Sequence, residues 1–266
     1  MPNTRPRRIP RPTSPRPTPG VEAAPHVATL VDDDSPGTTS ESVAGDMAVA
    51  LAVEVVGTFL LVFTAVASIV VTRANEVTGA AIAAGLATGV LVASLGHLSA
   101  ALFNPAIAVA FAVTGRLSPA RAGVAVIGQA VGAVLGSGAV AFTFPADALA
   151  KVGNGTPGIG PGSTDVGAAV IEAVATFLVV TVLYGSWFDE RNRSALGPLY
   201  VGLAVTVGTM ATASVSGGAL NPARWFGPAL YNGTLGNAWV WIVGPTLGAV
   251  VAGAAYQFGF LRSRTS

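Results

Sequence analysis

The chain has 266 residues, 52% of them hydrophobic and only 10% charged, where soluble globular proteins carry roughly a quarter charged residues. That deficit excludes an ordinary soluble domain and marks an integral membrane protein. A net charge of +1 and the absence of cysteine exclude nucleic acid as partner, disulfides and thiolate metal sites. The two histidines, His26 and His97, lie far apart in sequence, so no metal site or cofactor is expected.

In chain order, residues 1–46 read as a disordered tail, rich in Pro and Arg (Arg5, Arg7, Arg8, Arg11, Arg16) and then acidic at Asp32-Asp33-Asp34. Proline density forbids a helix early in it, and no apolar run is long enough for a secretory signal. Apolar runs at 47–71, 77–95 and 119–144 are each long enough to span a bilayer. A Gly/Pro-rich loop, 145–165, separates them from three further spans at 166–188, 199–215 and 238–258. Residues 259–266 form a short C-terminal tail.

Two stretches break the pattern of full spans. Asn104-Pro105-Ala106 and Asn221-Pro222-Ala223 each read as a helix start, with Asn as N-cap and Pro in the first turn. The apolar runs that follow end quickly, at Thr114-Gly115-Arg116 and at Asn232-Gly233. A helix of about ten residues covers about 15 Å, half the hydrocarbon thickness. Two such helices in so apolar a chain predict re-entrant segments, tolerated only where they line a cavity.

The second half repeats the first. Glu54 and Glu172 each precede a Thr-Phe-Leu (58–60 and 176–178), the Asn-Pro-Ala triplets recur, and Gly128-Gln129 pairs with Gly244-Pro245. The offsets are 118, 117 and 116, so the register barely drifts. Three spans per copy is odd, so the second copy enters the membrane from the opposite side, an inverted repeat. The two half-helices then enter from opposite faces, and their N-termini meet near the midplane. Loop charge sets the orientation. The tail arginines, Arg116, Arg121, Arg191, Arg193, Arg262 and Arg264 fall on one side; Arg73, Lys151 and Arg224 fall on the other. The positive-inside rule places both termini in the cytoplasm.

The twin Asn-Pro-Ala motifs, the second extended by Arg224 and Phe226-Gly227-Pro228, resemble the major intrinsic protein family, the aquaporins and their solute-conducting relatives. The Glu-x-x-x-Thr-Phe pairs and the Gly128 and Gly244 positions agree, and the resemblance covers residues 47–258. It implies an all-α membrane protein of six transmembrane helices and two re-entrant half-helices. It also implies a passive channel, not an enzyme, assembled as a homotetramer in the plasma or inner membrane. One departure stands out: the family often has Ser-Gly-Ala-His before the first motif, and this chain has Ser99-Ala100-Ala101-Leu102. The resemblance makes the pore wall near that mouth less polar.

Residue chemistry fits such a pore. Two half-helix N-termini facing each other, each with about half a positive charge, repel cations. The amides of Asn104 and Asn221 can donate to a passing oxygen, and a water held by both turns its hydrogens outward and breaks a proton wire. Simple N-capping is the alternative role for both. Arg224 adds a charge that does not titrate; an interfacial anchor is its alternative. Carboxylates inside a span are expensive, so Glu54 and Glu172 read either as a proton relay or, as the family resemblance implies, as acceptors bracing the re-entrant loops. Gln129 reads as a packing residue, as do Gly57, Gly89, Gly132, Gly136, Gly248 and Gly253. His97 reads as a local loop contact.

The family's spacing from the motifs assigns the narrowest ring to Ala84, Thr209, Gly218 and Arg224. Water-selective members place Phe and His in this ring, and glycerol-conducting members Trp and Phe. Three small residues imply a wide ring that passes small neutral solutes such as glycerol, urea and metalloid acids. The alternative is a water-selective pore narrowed elsewhere, by Phe103 or Trp225. An ion-coupled transporter would need coupling-ion ligands, and no intramembrane carboxylate remains beyond the two bracing ones.

Overall fold

The computed structural model of the chain describes residues 40–72, 77–192 and 194–261, with side chains from residue 45 onward. Most of the arginine-rich tail, the loop holding Arg73, Arg193 and the last five residues lie outside it. Six helices long and apolar enough to cross a membrane are present: α1 (Ser40–Thr72), α2 (Val77–Leu95), α4 (Pro119–Thr143), α6 (Asp165–Trp187), α7 (Gly197–Ser216) and α9 (Trp239–Ala254). The last continues as a π-helical turn over Ala255–Leu261. Between them lie the half-helices α3 (Pro105–Val113) and α8 (Pro222–Asn232) and one short helix, α5 (Ala146–Lys151). Among the described residues there is no strand. The fold is all-α.

Two boundaries differ from the expectation. Helix α1 starts at Ser40 and not near Met47, because no proline from residue 40 to 46 breaks it. The 145–165 segment carries α5 and a 3-10 turn at Gly153–Gly155, although it reads as irregular from its glycines and prolines.

The helices pack through backbone, not through bulk. Lipid tails give no hydrophobic drive for helix association, so close approach at small residues supplies the contact energy. Helix α4 lies on α1, where a Cβ added at Gly132 would sit 2.4 Å from the Val55 carbonyl oxygen and one at Gly136 2.6 Å from that of Phe59. Helix α9 lies on α6 in the same way, with Gly244 and Gly248 against the carbonyls of Ala169 and Ala173 at 2.6 and 2.0 Å. The repeat mates α2 and α7 meet each other. Gly85 faces Gly202, its equivalent at offset 117, and a Cβ on either would strike the other's carbonyl oxygen at 2.4–2.5 Å. The two halves therefore join at their own symmetry element. Outward faces carry apolar residues such as Val90, Phe142, Val174 and Leu247, suited to lipid.

Topology decides which ends share a face. Helix α6 runs away from the 145–164 loop, so Trp187 lies at the opposite face, with the loops that hold Arg116 and Arg191 and with Arg121 in the first turn of α4. Helix α3 ends on that face, where Arg116 donates to Gln257 at 2.8 Å. Helix α8 ends on the other, where Asn232 accepts from Asn154 at 3.3 Å.

Candidate functional site

The two buried glutamates each hold the re-entrant loop of their own repeat. Glu54 Oε1 accepts from the Leu102 N–H and Oε2 from the Phe103 N–H, both at 2.8 Å. Glu172 accepts from the N–H groups of Ala219 and Leu220 at 2.9 and 2.6 Å. Each carboxylate takes a third bond, and here the repeats diverge. Gln129 Nε2 donates to Glu54 at 2.8 Å. Pro245 stands at the equivalent place in α9 and has no donor; Ser216 Oγ donates to Glu172 instead, at 2.6 Å. Gln129 is thus a hydrogen-bonding partner of the loop brace, not only a packing residue.

The bracing forces the loops into unusual backbone. Ala101 and Phe103 have φ of 45° and 50°, and Gly218 and Leu220, their equivalents, 60° and 55°. Left-handed conformations at Phe103 and Leu220 are costly for residues with a side chain and persist only where the surroundings over-determine them. Two N–H groups turned onto one carboxylate do that. Gly57 makes room for the Phe103 ring, which would lie 1.9 Å from a Cβ there.

Both half-helices are capped as the triplets predict. Asn104 Oδ1 accepts from the Ala106 N–H at 3.0 Å, and Asn221 Oδ1 from the Ala223 N–H at 2.9 Å, with Pro105 and Pro222 in the first turns. The amide nitrogens do something the sequence does not reveal. Asn104 Nδ2 donates to the Leu220 carbonyl at 2.9 Å, and Asn221 Nδ2 to the Phe103 carbonyl at 2.7 Å. Each Asn ties its half-helix to the other repeat's loop. An amide has two N–H donors, so each retains a second one, and both residues line the lumen. Each side chain therefore caps its own half-helix and ties the other repeat's loop.

Ala84, Thr209, Gly218 and Arg224 come together around one lumen. Ala84, Thr209 and Arg224 also border the vestibule on the 145–164 side, so these three stand where the two spaces join. Space for the centres of water-sized molecules is about 40 Å³ in the lumen and about 180 Å³ in the vestibule. Thr209 Oγ1 donates to the Gly218 carbonyl at 3.4 Å. A Cβ on Gly218 would lie 2.8 Å from the Thr209 carbonyl oxygen, so this position admits no side chain. Arg224 is 7% exposed, and its Nη1 donates to the Gly155 carbonyl at 3.0 Å. That carbonyl belongs to the 3-10 turn of the connecting loop, and nothing in the sequence marks it as the anchor of Arg224.

Two other expectations resolve. Trp225 stacks on Trp241 with centroids 5.3 Å apart, in a cluster with Ala168, Ala219 and Ala229, and does not line the lumen; Phe103 does. His97 is exposed in the loop after α2. No group of three or more metal-ligating side chains occurs among the described residues.

The family model for major intrinsic proteins matches residues 41–256. Aquaporin NIP1-1 of Zea mays is 36% identical over 208 residues, 77% of this chain and 72% of that protein. Nodulin-26 of Glycine max is 33% identical over 213 residues, 78% and 76% of the two chains. The solved aquaglyceroporin from Plasmodium falciparum shares the fold at a TM-score of 0.74 and 20% identity, over 81% of this chain and 97% of that one. With its six spans and paired half-helices, this chain belongs to the major intrinsic protein family of passive transmembrane channels for water and small solutes, and is not an enzyme.

Proposed function

We propose that the channel passes small neutral solutes such as glycerol, urea and metalloid acids as well as water, and excludes protons and ions. The observation that carries this reading is the ring of Ala84, Thr209 and Gly218 beside Arg224, with no aromatic side chain at the junction of lumen and vestibule. A hydroxylated solute replaces its water shell there with the Arg224 guanidinium and the Thr209 hydroxyl. Exclusion of cations rests on Arg224 and on the positive ends of α3 and α8 meeting at Asn104 and Asn221. The free N–H of each Asn orients a passing water so that its hydrogens point away from the midplane.

Stopped-flow light scattering on proteoliposomes tests this, comparing water with glycerol, urea, boric acid and arsenous acid. Solute flux well above empty liposomes is expected, and Ala84→Phe should cut solute flux more than water flux. Fast water flux without solute entry would refute the wide filter. The second reading, a water-selective pore, is favoured by the small lumen volume and by its apolar wall. Saturable flux that depends on a pH gradient would instead point to a coupled transporter.

The same reading places the protein in the plasma or inner membrane, with both termini and the Arg116, Arg121 and Arg191 loops in the cytoplasm. It assembles as a homotetramer with one pore per subunit, an inference from family membership that cross-linking in intact membranes tests.

A further inference from the structure

The lumen has a second end that the filter does not explain. From the Asn pair toward the face opposite the vestibule, its wall includes Val92, Leu102, Leu183, Trp187 and Val201. Thr88 also lines it, but its hydroxyl donates to the Ala84 carbonyl of its own helix at 2.8 Å. Solute moving along this half therefore meets apolar side chains.

Trp187 is the largest of these. It is the last residue of α6, and its half-buried indole packs against two separate cores. One is built on α3, α6 and α7; the other on α1, α2 and the first re-entrant loop. The indole thus touches groups of both repeats and lines the lumen at this end. The ring is also held in place. A Cβ added at Gly197 would sit 3.1 Å from its Cδ1 and 3.2 Å from its Nε1, so the indole lies against the bare backbone at the start of α7.

The chain just beyond Trp187 is tied down on three sides. The Phe188 and Asp189 N–H groups both donate to the Tyr184 carbonyl, at 3.0 and 3.2 Å. The Phe188 ring lies 4.1 Å beneath the Arg116 guanidinium, and Arg116 is held in turn by Gln257. The Asp189 carboxylate accepts from Arg191 Nε at 2.6 Å and from the Tyr256 hydroxyl at 3.2 Å. Tyr256 and Gln257 sit in the π-helical turn that ends α9, a winding that is rare and concentrates at functional positions.

We propose that Trp187, with Leu102, forms a second, apolar constriction at the mouth opposite the Arg224 filter. It discriminates among solutes that the wide ring admits. The filter replaces hydration with polar groups; this mouth offers none and admits a solute according to its size and the cost of stripping its water. Trp187 is then a specificity-determining residue of the transport reaction, and the proposal rests on the pore described above.

The test compares wild type, Trp187→Ala, Trp187→Phe and Leu102→Ala in proteoliposomes, with water, glycerol and boric acid fluxes measured on each preparation. Trp187→Ala is expected to raise the glycerol-to-water permeability ratio by about threefold or more, with Trp187→Phe between it and wild type, as a steric constriction requires. Proton exclusion should be unchanged, because Arg224 and the Asn pair are intact. Ratios for all three variants within a factor of about 1.5 of wild type would overturn the proposal. Trp187→Phe keeps an aromatic anchor, so it reads out the constriction even where the alanine variant fails to fold. The two readings fail separately. Wild-type solute flux decides whether the native channel conducts solutes, whereas the change between wild type and variants decides the mouth. A wild type closed to glycerol that Trp187→Ala opens would refute solute conduction by the native channel and establish the mouth, with the ring still wide.

Discussion

At the scale of single residues, the chemistry is that of two buried carboxylates, each satisfied by donors from its own repeat. Glu54 is 1% exposed and accepts three hydrogen bonds. Replacing it with Gln keeps the shape but turns an NH2 toward a backbone N–H. One donor in the loop then loses its partner, at a cost of about 1–3 kcal/mol. Glu54→Gln and Glu172→Gln should each lower the melting temperature of the solubilised channel and reduce water flux, read by thermal unfolding and stopped flow. Asp189, outside the spans, behaves differently because Arg191 holds its carboxyl down to about 2. A depressed carboxyl pKa stabilises the fold above the unfolded value of about 3.9 and loses that contribution as pH falls toward 2. Melting temperature should therefore differ between wild type and Asp189→Asn by a constant amount from about pH 5 upward, and the difference should shrink below about pH 4. A difference that shrinks near neutral pH would contradict the Arg191 pairing.

At the scale of elements, helix contacts are made where glycine lets one backbone reach another. Between two helices Gly248 makes the tightest backbone approach, with the Ala173 carbonyl oxygen 2.0 Å from an added Cβ and no flexible side chain to yield. Gly123 and Gly236 have nothing within 4 Å. Gly248→Val should push α9 off α6, at a cost of about 1–3 kcal/mol or more, while Gly123→Val stays within about 0.5 kcal/mol of wild type. Thermal unfolding of the purified variants reads the contrast directly; equal losses at the two sites would mean that the glycines do not set the packing. The half-helices depend on the same economy of space. Gly227 of α8 packs with its Cα against the Ala133 carbonyl, 2.4 Å from an added Cβ, which seats α8 against α4.

At the scale of the whole molecule, orientation in the membrane is directly testable with this chain. It contains no cysteine, so a single introduced thiol is labelled without background. Ala195 and Gly236 are exposed on opposite faces, in the α6–α7 and α8–α9 connections. With both termini cytoplasmic, a membrane-impermeant maleimide added to intact cells should label Gly236→Cys and leave Ala195→Cys unlabelled until the membrane is opened. The reverse pattern would invert the topology and move the arginine-bearing loops outside, against the charge rule.

The sequence by itself determined the six spans, the two half-helices and their caps, and the pairing of repeats. These depend on local signals: apolar run length, Asn-Pro at a helix start, and an offset that stays between 116 and 118. The glutamates were legible as buried acids for the same reason, since a carboxylate within an apolar run is visible without knowing what it touches. Partners were not. That Asn104 reaches Leu220, that Arg224 leans on the Gly155 carbonyl and that Ser216 stands in for Gln129 are meetings of groups 44 to 116 positions apart in the chain. Backbone carbonyls carry no sequence signal at all, because every residue has one. The tertiary structure alone decided these contacts. It also placed Trp187 in the lumen and Trp225 outside it, because two indoles look alike in a sequence until the folded backbone gives each one a direction.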